Sequence, residues 1–464
     1  MVVITVQVGQ CGNQLGSTVF DALSSSSQSP LPSDYFREPS SSRSSSSFSD
    51  PSDPATQHQQ QQIARAVLID TEPKVVSRCL APTSPSDKRW RYSKNNAMIL
   101  AQGGAANNWA CGFQIARGKQ EEDVLEKIRK ESEHADSVSA LHVLHSLAGG
   151  TGSGLGSALT LTLRDSFSSS CLIVNTVVSP FHTGEVIVQD YNAALTLASL
   201  SDGSDAIFSF SNESSALACK KLLKNPRPSI PDLNVVIGGT VASALLPSSA
   251  TRDESSGLYS LSDAVLHLCP HPGLKVVQCK RVPLMPSSSV DFTSDSWNGG
   301  VVGRLRQMQR CGAALDCDVN WRVKKDINVQ VATLLILRGT GGGGGGGTTT
   351  TTTTTNGHNG DDVWSADVEP FFKEVRSAAW NDEPVKVWRS DVDFGAVDKC
   401  GVLLTNGQEC LDMLGRVSRA RDKFEVGAYV HQYEKFGVGK AEFEEAFIAI
   451  DQIACNYKTL ECVD

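Results

Sequence analysis

Apolar and polar residues alternate in two rhythms along this chain, and the rhythms change place repeatedly. Val2 to Val8 (Val-Val-Ile-Thr-Val-Gln-Val) has the period-two pattern of a strand. Gln10 to Leu23 reads as a helix opened by a Gly-rich turn, and Ala64 to Asp70 as a second strand. Glu122 to Leu147 reads as one long, mostly helical stretch with Val124, Ile128, Val138, Leu141 and Leu144 as its apolar positions. A β-branched strand from Cys171 to Val178 ends in Ser179-Pro180, followed by a helix from Glu185 to Leu200 and a strand from Ala206 to Phe210. After Asn212 a helix runs to about Lys224, and a second α/β region has strands near 273–279 and 328–338. From about Leu411 onward the chain reads as helices, with Phe424, Ala428, Tyr429, Phe443, Phe447 and Ile450 as packing residues. Alternating β and α segments predict a parallel sheet covered on both faces, with any ligand outside the carboxyl ends of its strands.

Two segments break this pattern. Ser24 to about Gln62 is Ser-rich and closes on Gln57-His-Gln-Gln-Gln-Gln62; it lacks the apolar residues that offset chain entropy, so disorder is expected. Gly341 to Gly347 followed by Thr348 to Thr355 is a flexible run without an apolar face. Both read as loop insertions. The composition of the whole chain, 40% hydrophobic with a net charge of −9, is that of a soluble globular protein and disfavours nucleic acid as a partner. No stretch approaches the length of a membrane span, and the first residues read as a strand rather than a leader peptide. Thirteen cysteines without a CxxC pair suggest reduced thiols, with neither a disulfide framework nor a zinc site. His142 and His145 fall at i, i+3 of the long helix without further ligands, so they read as core or surface residues.

Chemistry concentrates first in Gly149-Gly150-Thr151-Gly152-Ser153-Gly154. Glycines let backbone N–H groups converge on an anion, the following helix adds its positive end, and Thr151 and Ser153 add hydroxyls. This is a cradle for a di- or triphosphate; an ordinary Gly-rich turn is the bland alternative. No Gly-Lys-Ser/Thr follows, so it is not a Walker A loop, and it does not follow the first strand as a dinucleotide fingerprint would.

The run from Ala148 to Gly154 resembles the signature loop of the tubulin family, and its neighbours match in order. Gly9 to Gly16 is similar to the family's first nucleotide loop, Asp70-Thr71-Glu72-Pro73 to its acidic second loop, and Gly104 to Ala110 to its third. The segment Thr183 to Asn192, with Arg89-Trp90-Arg91-Tyr92, Leu335 to Gly339 and His431 to Gly437, resembles the delta branch, as does an end at Glu461-Cys462-Val463-Asp464 without a long acidic tail.

The resemblance implies a tubulin-like α/β fold: a Rossmann-like GTP-binding domain over 1–212, a core helix and connection over 213–250, an intermediate α/β domain over 251–406 and a helical region over 407–464. It implies GTP held by Gln10, Cys11, Gln14, Asn107, Ser146, Gly149, Gly150, Thr151, Gly152, Ser153, Gly154, Glu185, Asn212 and Asn234, with Mg²⁺ at Asp70 and Glu72. In this reading Asn107 contacts the terminal phosphate, Glu185 the ribose, and Asn212, as the cap of its helix, reads guanine together with Asn234. Each amide read alone is as well explained as a helix cap or a core amide. Asp263 matches an acid that acts in trans on a neighbouring subunit's nucleotide, against the plainer role of a first-turn helix acid. Ala148, Gln189 and Ile230 depart from the family pattern; Ile230 stands where many tubulins place an aromatic that stacks on guanine. The implied partners are other tubulins and centriolar proteins, the implied places cytoplasm, cytoskeleton, centriole, basal body and cilium. A regulator that binds tubulin without entering a lattice is the alternative.

Overall fold

A computed structural model describes residues 2–25, 30–39, 61–81, 88–100, 103–184, 187–250, 259–286, 289, 297–339, 368, 371, 375–390, 393–395 and 397–461. The Gly/Thr-rich run and most of the Ser/Gln-rich run lie outside these residues. So does Glu185.

The first half is built on parallel strands: β1 (Val2–Val8), β4 (Ala66–Asp70), β6 (Ala97–Ile99), β7 (Val138–Ser146), β8 (Leu172–Ser179) and β9 (Ala206–Ser211). Their order is β6-β4-β1-β7-β8-β9, so successive crossovers leave β1 in opposite directions. Such a reversal opens a crevice at the strands' carboxyl ends. The sheet continues through β11 (Val276–Val282), β14 (Cys400–Gly407), β12 (Gln330–Arg338), β13 (Val385–Ser390) and β10 (Ser249–Ala250) into a single 11-stranded sheet. β11 joins β9 in parallel and β14 antiparallel.

Helices cover both faces. On one lie α1 (Gly9–Ser24), α8 (Ile230–Leu245) and α9 (Leu261–Leu268), packed on Val3, Leu68, Val174 and Val277. On the other, α4 (Lys119–Ser132) and α5 (Gly156–Ser166) cover Ile4, Val6, Val67 and Val143. Farther along that face α6 (Gln189–Gly203), α11 (Leu411–Ser418) and α14 (Lys440–Lys458) cover Val177, Ile207 and Val276. The shorter helices are α2 (Pro73–Leu80), α3 (Trp109–Ile115), α7 (Asn212–Lys221), α10 (Gly303–Cys311), α12 (Ala420–Glu425) and α13 (Val430–Glu434). Among the described residues no helix is long and apolar enough to cross a membrane.

Several expectations change. The stretch 122–147 is not one helix: α4 stops at Ser132 and the chain re-enters the sheet as β7. β7 is buried on both faces, so Leu141 and Leu144 carry no clean period-two signal, and His142 and His145 lie on a strand rather than a helix. The helix expected from Glu185 begins at Gln189. The disorder expected of the Ser-rich segment does not hold for its described residues. Within 30–39, Leu31, Tyr35 and Phe36 are buried, and β2 (Phe36–Arg37) pairs with β3 (Gln62–Ala64), which pairs with β5 (Trp90–Arg91). Phe36 meets Phe20 edge-on at 5.5 Å, and Phe20 in turn touches Trp90. Average composition hid this small aromatic cluster. Strands β13 and β14 were not anticipated.

Candidate nucleotide-binding site

β1 delivers the chain to Gly9, whose φ of 71° glycine adopts without steric cost. A Cβ there would stand 3.0 Å from the Gly152 nitrogen, so the first loop and the Gly-rich run meet backbone to backbone. The Gly-rich run follows β7, not a helix, and coils as one π-helical turn, Thr151–Leu155, that feeds α5. Such turns are rare and mark functional sites. α3 backs this turn: a Cβ on Gly112 would collide with the Gly150 carbonyl, and one on Gly154 with that of Trp109. Ser153 is buried and donates from both its hydroxyl and its N–H to the Gly149 carbonyl, the N–H at 3.1 Å, so its hydroxyl is used inside the loop. Thr151 Oγ1 lies 2.7 Å from Thr71 Oγ1 and joins the Gly-rich run to the loop after β4.

That second loop carries the acids. Asp70 Oδ1 accepts from the N–H groups of Thr71 at 2.8 Å and Glu72 at 3.3 Å. Its Oδ2 is buried without a hydrogen-bond partner. Burial pushes the carboxyl up to about 6, and the backbone N–H groups only partly offset this. A buried carboxylate oxygen without a donor suits a hard cation, and Glu72 is close enough in sequence to share it. The Asp70–Glu72 pair therefore fits Mg²⁺.

Around these loops stand polar side chains that the protein leaves unpaired. Among the described residues, the amides of Gln10, Gln14, Asn107, Asn212 and Asn234 and the Ser146 hydroxyl make no hydrogen bond with another protein group. Gln14 and Asn212 are half-buried, and Asn234 is buried at 5% exposure. They come from the carboxyl ends of β1, β7 and β9, from the loop before α3, and from the first turns of α8. α1 and α8 pack side by side, with a Cβ on Gly238 only 3.0 Å from Thr18 Cγ2. One turn back toward the crevice, Gln14 and Asn234 occupy the facing positions. Asn107 is exposed and held in the left-handed region at φ 54°. Asn212 is the first residue of α7 and not its cap, which is Ser211. Burial pushes the half-buried Cys11 thiol up to about 12. Gln189 donates to the Phe181 carbonyl at 3.0 Å and so holds the loop after β8. Ile230 is exposed at the start of α8.

Asp263 lies at the opposite end of α8, on α9. Its Oδ2 accepts from the Ser260 N–H and hydroxyl, both at 2.8 Å, in a capping box.

Sequence reasoning missed the residues that hold the loops. Asn192, fully buried on α6, donates to the carbonyls of Asn107 (2.8 Å) and Ala148 (2.6 Å). It accepts from the Trp109 N–H (3.0 Å) and the Tyr433 hydroxyl (2.7 Å), and so ties the third loop, the Gly-rich run, α3 and α13 together. Asn13 donates to the carbonyls of Gly9 and Ile69 and links the first loop to the second. His145 lies under the Gly-rich run with Nε2 3.1 Å from Asn175 Oδ1; a Cβ on Gly156 would come within 2.8 Å of its ring. Burial pushes His142 and His145 down to about 4, so both are neutral near pH 7. Helical or strand spacing alone gives no cue to such hubs; a buried amide becomes one only when distant loops arrive at it.

Phosphate loops, a cation-ready acid and unpaired amides along one sheet edge define a nucleotide-binding α/β protein. Residues 2–220 match the Tubulin/FtsZ family, GTPase domain. The whole chain is similar to the tubulin delta chain of Macaca fascicularis, with 35% identity over 489 aligned residues that cover 99% of this chain and 100% of the relative. The tubulin delta chain of Homo sapiens is likewise 35% identical with the same coverage. The tubulin beta chain of Porphyra purpurea is 29% identical over 61% of this chain and 59% of its own. The chain belongs to the tubulin family and is a GTP-binding cytoskeletal protein.

Proposed function

We propose that this chain is a delta-type tubulin that binds GTP with Mg²⁺ and joins other tubulin subunits in the triplet microtubules of centrioles and basal bodies, and so serves cilium or flagellum assembly. The observation that carries the nucleotide part is the set of unpaired polar groups along one sheet edge, together with the orphaned Asp70 Oδ2. Full-length similarity to tubulin delta chains supports the subunit type. Asn212 and Asn234 would read the guanine edge, since an amide offers both a donor and an acceptor. Asn107 and the Gly-rich run would hold the terminal phosphates, and Glu185 the ribose.

Head-to-tail joining has support at both ends of α8. Ile230 and Val235 are exposed at the nucleotide end; Leu266 is exposed on α9, the next helix after the other end, and Trp380 is exposed 6.2 Å from His271. Different apolar patches at opposite ends suit a heterologous contact that propagates. In that arrangement α9 faces the next subunit's nucleotide. Ser260 holds Asp263 Oδ2, and Oδ1 is left to orient water there. The boundaries 1–212, 213–250, 251–406 and 407–464 would then divide nucleotide binding, coupling, neighbour contact and outer surface.

GTP turnover with alpha/beta-tubulin tests the trans role. Asp263→Asn, which keeps the cap's size, is expected to slow turnover about 10²-fold or more; equal rates overturn it. Electron microscopy of the tagged protein on centriole cross-sections tests the lattice role. Label on the triplet wall is expected, and a diffuse pericentriolar label overturns it in favour of a regulator.

A further inference from the structure

The chain carries a net charge of −9, yet one loop concentrates uncompensated positive charge around an exposed tryptophan. Between α10 and β12 the backbone turns at Asn320–Val323, where the Val323 N–H donates to the Asn320 carbonyl at 3.2 Å. Trp321, 57% exposed, and Arg322 form the tip of this turn, and Lys324 and Lys325 follow, also exposed. None of these three cations has an acidic partner among the described residues.

The turn is rigid. Gln307, buried on α10, donates to the carbonyls of Asn320 (2.7 Å) and Val323 (2.9 Å) and grips both ends. The Arg322 N–H adds a bond to Asn320 Oδ1 at 3.0 Å. Just beyond Lys325, buried Asp326 pairs with Arg306 at 2.8 Å and accepts from the Arg376 N–H at 2.9 Å. Buried polar groups on both sides therefore hold an apolar ring and three cations out into solvent. Ordering costs for a partner are met in advance, which is what preorganisation supplies. The patch extends onto α7: Lys221 pairs with Asp318 at 2.6 Å, Leu315 packs against Ala218 and Cys219, and Lys220 and Lys224 lie exposed beside this junction.

We propose that Trp321, Arg322, Lys324 and Lys325, flanked by Lys220 and Lys224, form a docking surface for an acidic peptide segment of another protein. Charge complementarity selects the sign, and the ring supplies a flat apolar anchor of the kind that dominates small interfaces. A short patch on an acidic molecule disfavours nucleic acid, which needs a long basic track. Trp321 and the nearby exposed Ile327 do not make an apolar helix face, which disfavours a membrane.

The test uses the full chain and fluorescence anisotropy of a fluorescein-labelled glutamate-rich peptide, with its glutamine isostere as control. Binding of the glutamate peptide alone is expected, weakening as ionic strength rises. Trp321→Ala should weaken it about tenfold, and Arg322→Glu with Lys324→Glu and Lys325→Glu should abolish it. Gln307→Ala, which frees the turn but keeps every exposed group, should weaken it severalfold. Thermal melting and GTP affinity of the exposed-residue variants should stay at wild-type values. Equal binding by these variants, or of the glutamine peptide, overturns the proposal. Preference through the same residues for single-stranded RNA or phosphatidylserine vesicles overturns it as well.

Discussion

The two ends of α8 treat polar groups in opposite ways. At the start, buried Asn234 makes no hydrogen bond through its amide among the described residues, and Ile230 is exposed. At the finish, the last carbonyls are claimed by side chains from distant parts of the chain. Arg338, fully buried on β12, donates to the carbonyls of Ser243 (2.7 Å), Leu246 and Pro247 (3.2 Å). Tyr35, from the described part of the Ser-rich segment, donates to that of Leu245 at 3.0 Å. A helix end buried without partners is costly, so the closed end answers a structural need. An amide left without a protein partner beside a crevice meets no such need and suits a ligand. The same helix is therefore held fixed at one end and, at the other, keeps a free amide for the proposed nucleotide.

Breaking the closed end should have the largest effect. Arg338→Met orphans several carbonyls and should cost about 3–5 kcal/mol in urea unfolding, with little change in GTP affinity for the protein that remains folded. Acid should act on the floor of the open end next. His145 is pushed down to about 4 by burial, so the unfolded chain binds the extra proton between about pH 6.5 and 4 and stability falls as pH falls through that window. His145→Gln should recover about 2 kcal/mol of the stability lost between pH 7 and pH 5, read from denaturant midpoints at both values. Asn234→Ala should weaken GTP about tenfold by calorimetry, with the melting temperature of the nucleotide-free protein unchanged. A shared loss of stability would remove the contrast between the ends. Tyr35→Phe removes one donor to a buried carbonyl and should cost about 1 kcal/mol. Ile230→Tyr adds an aromatic face where the base would stack, and should tighten GTP by severalfold at most, within about 1 kcal/mol.

Legibility in the sequence followed how local each feature is. The Gly-rich run, the acidic pair Asp70 and Glu72, and the alternation of β and α segments were all readable, because glycine, charge and periodicity act over a few residues. β7 was misread because a strand covered on both faces loses the alternation that would reveal it. The residues 30–39 were misread because Leu31, Tyr35 and Phe36 are few among serines, and their burial depends on Phe20 and Trp90, which arrive from elsewhere in the chain. Asn192, Asn13 and Arg338 carried no local signal at all.

By itself, then, the sequence determined a GTP-binding protein of the tubulin family and the loops that would cradle the phosphates. Only the tertiary structure decided which polar groups stay unpaired at the crevice, that Ser153 turns inward while Thr151 reaches Thr71, and that both ends of α8 differ. Whether a polar atom is satisfied depends on its distance to groups hundreds of residues away along the chain, as Tyr35 and Leu245 show with a separation of 210. The chain has to close on itself before that distance exists.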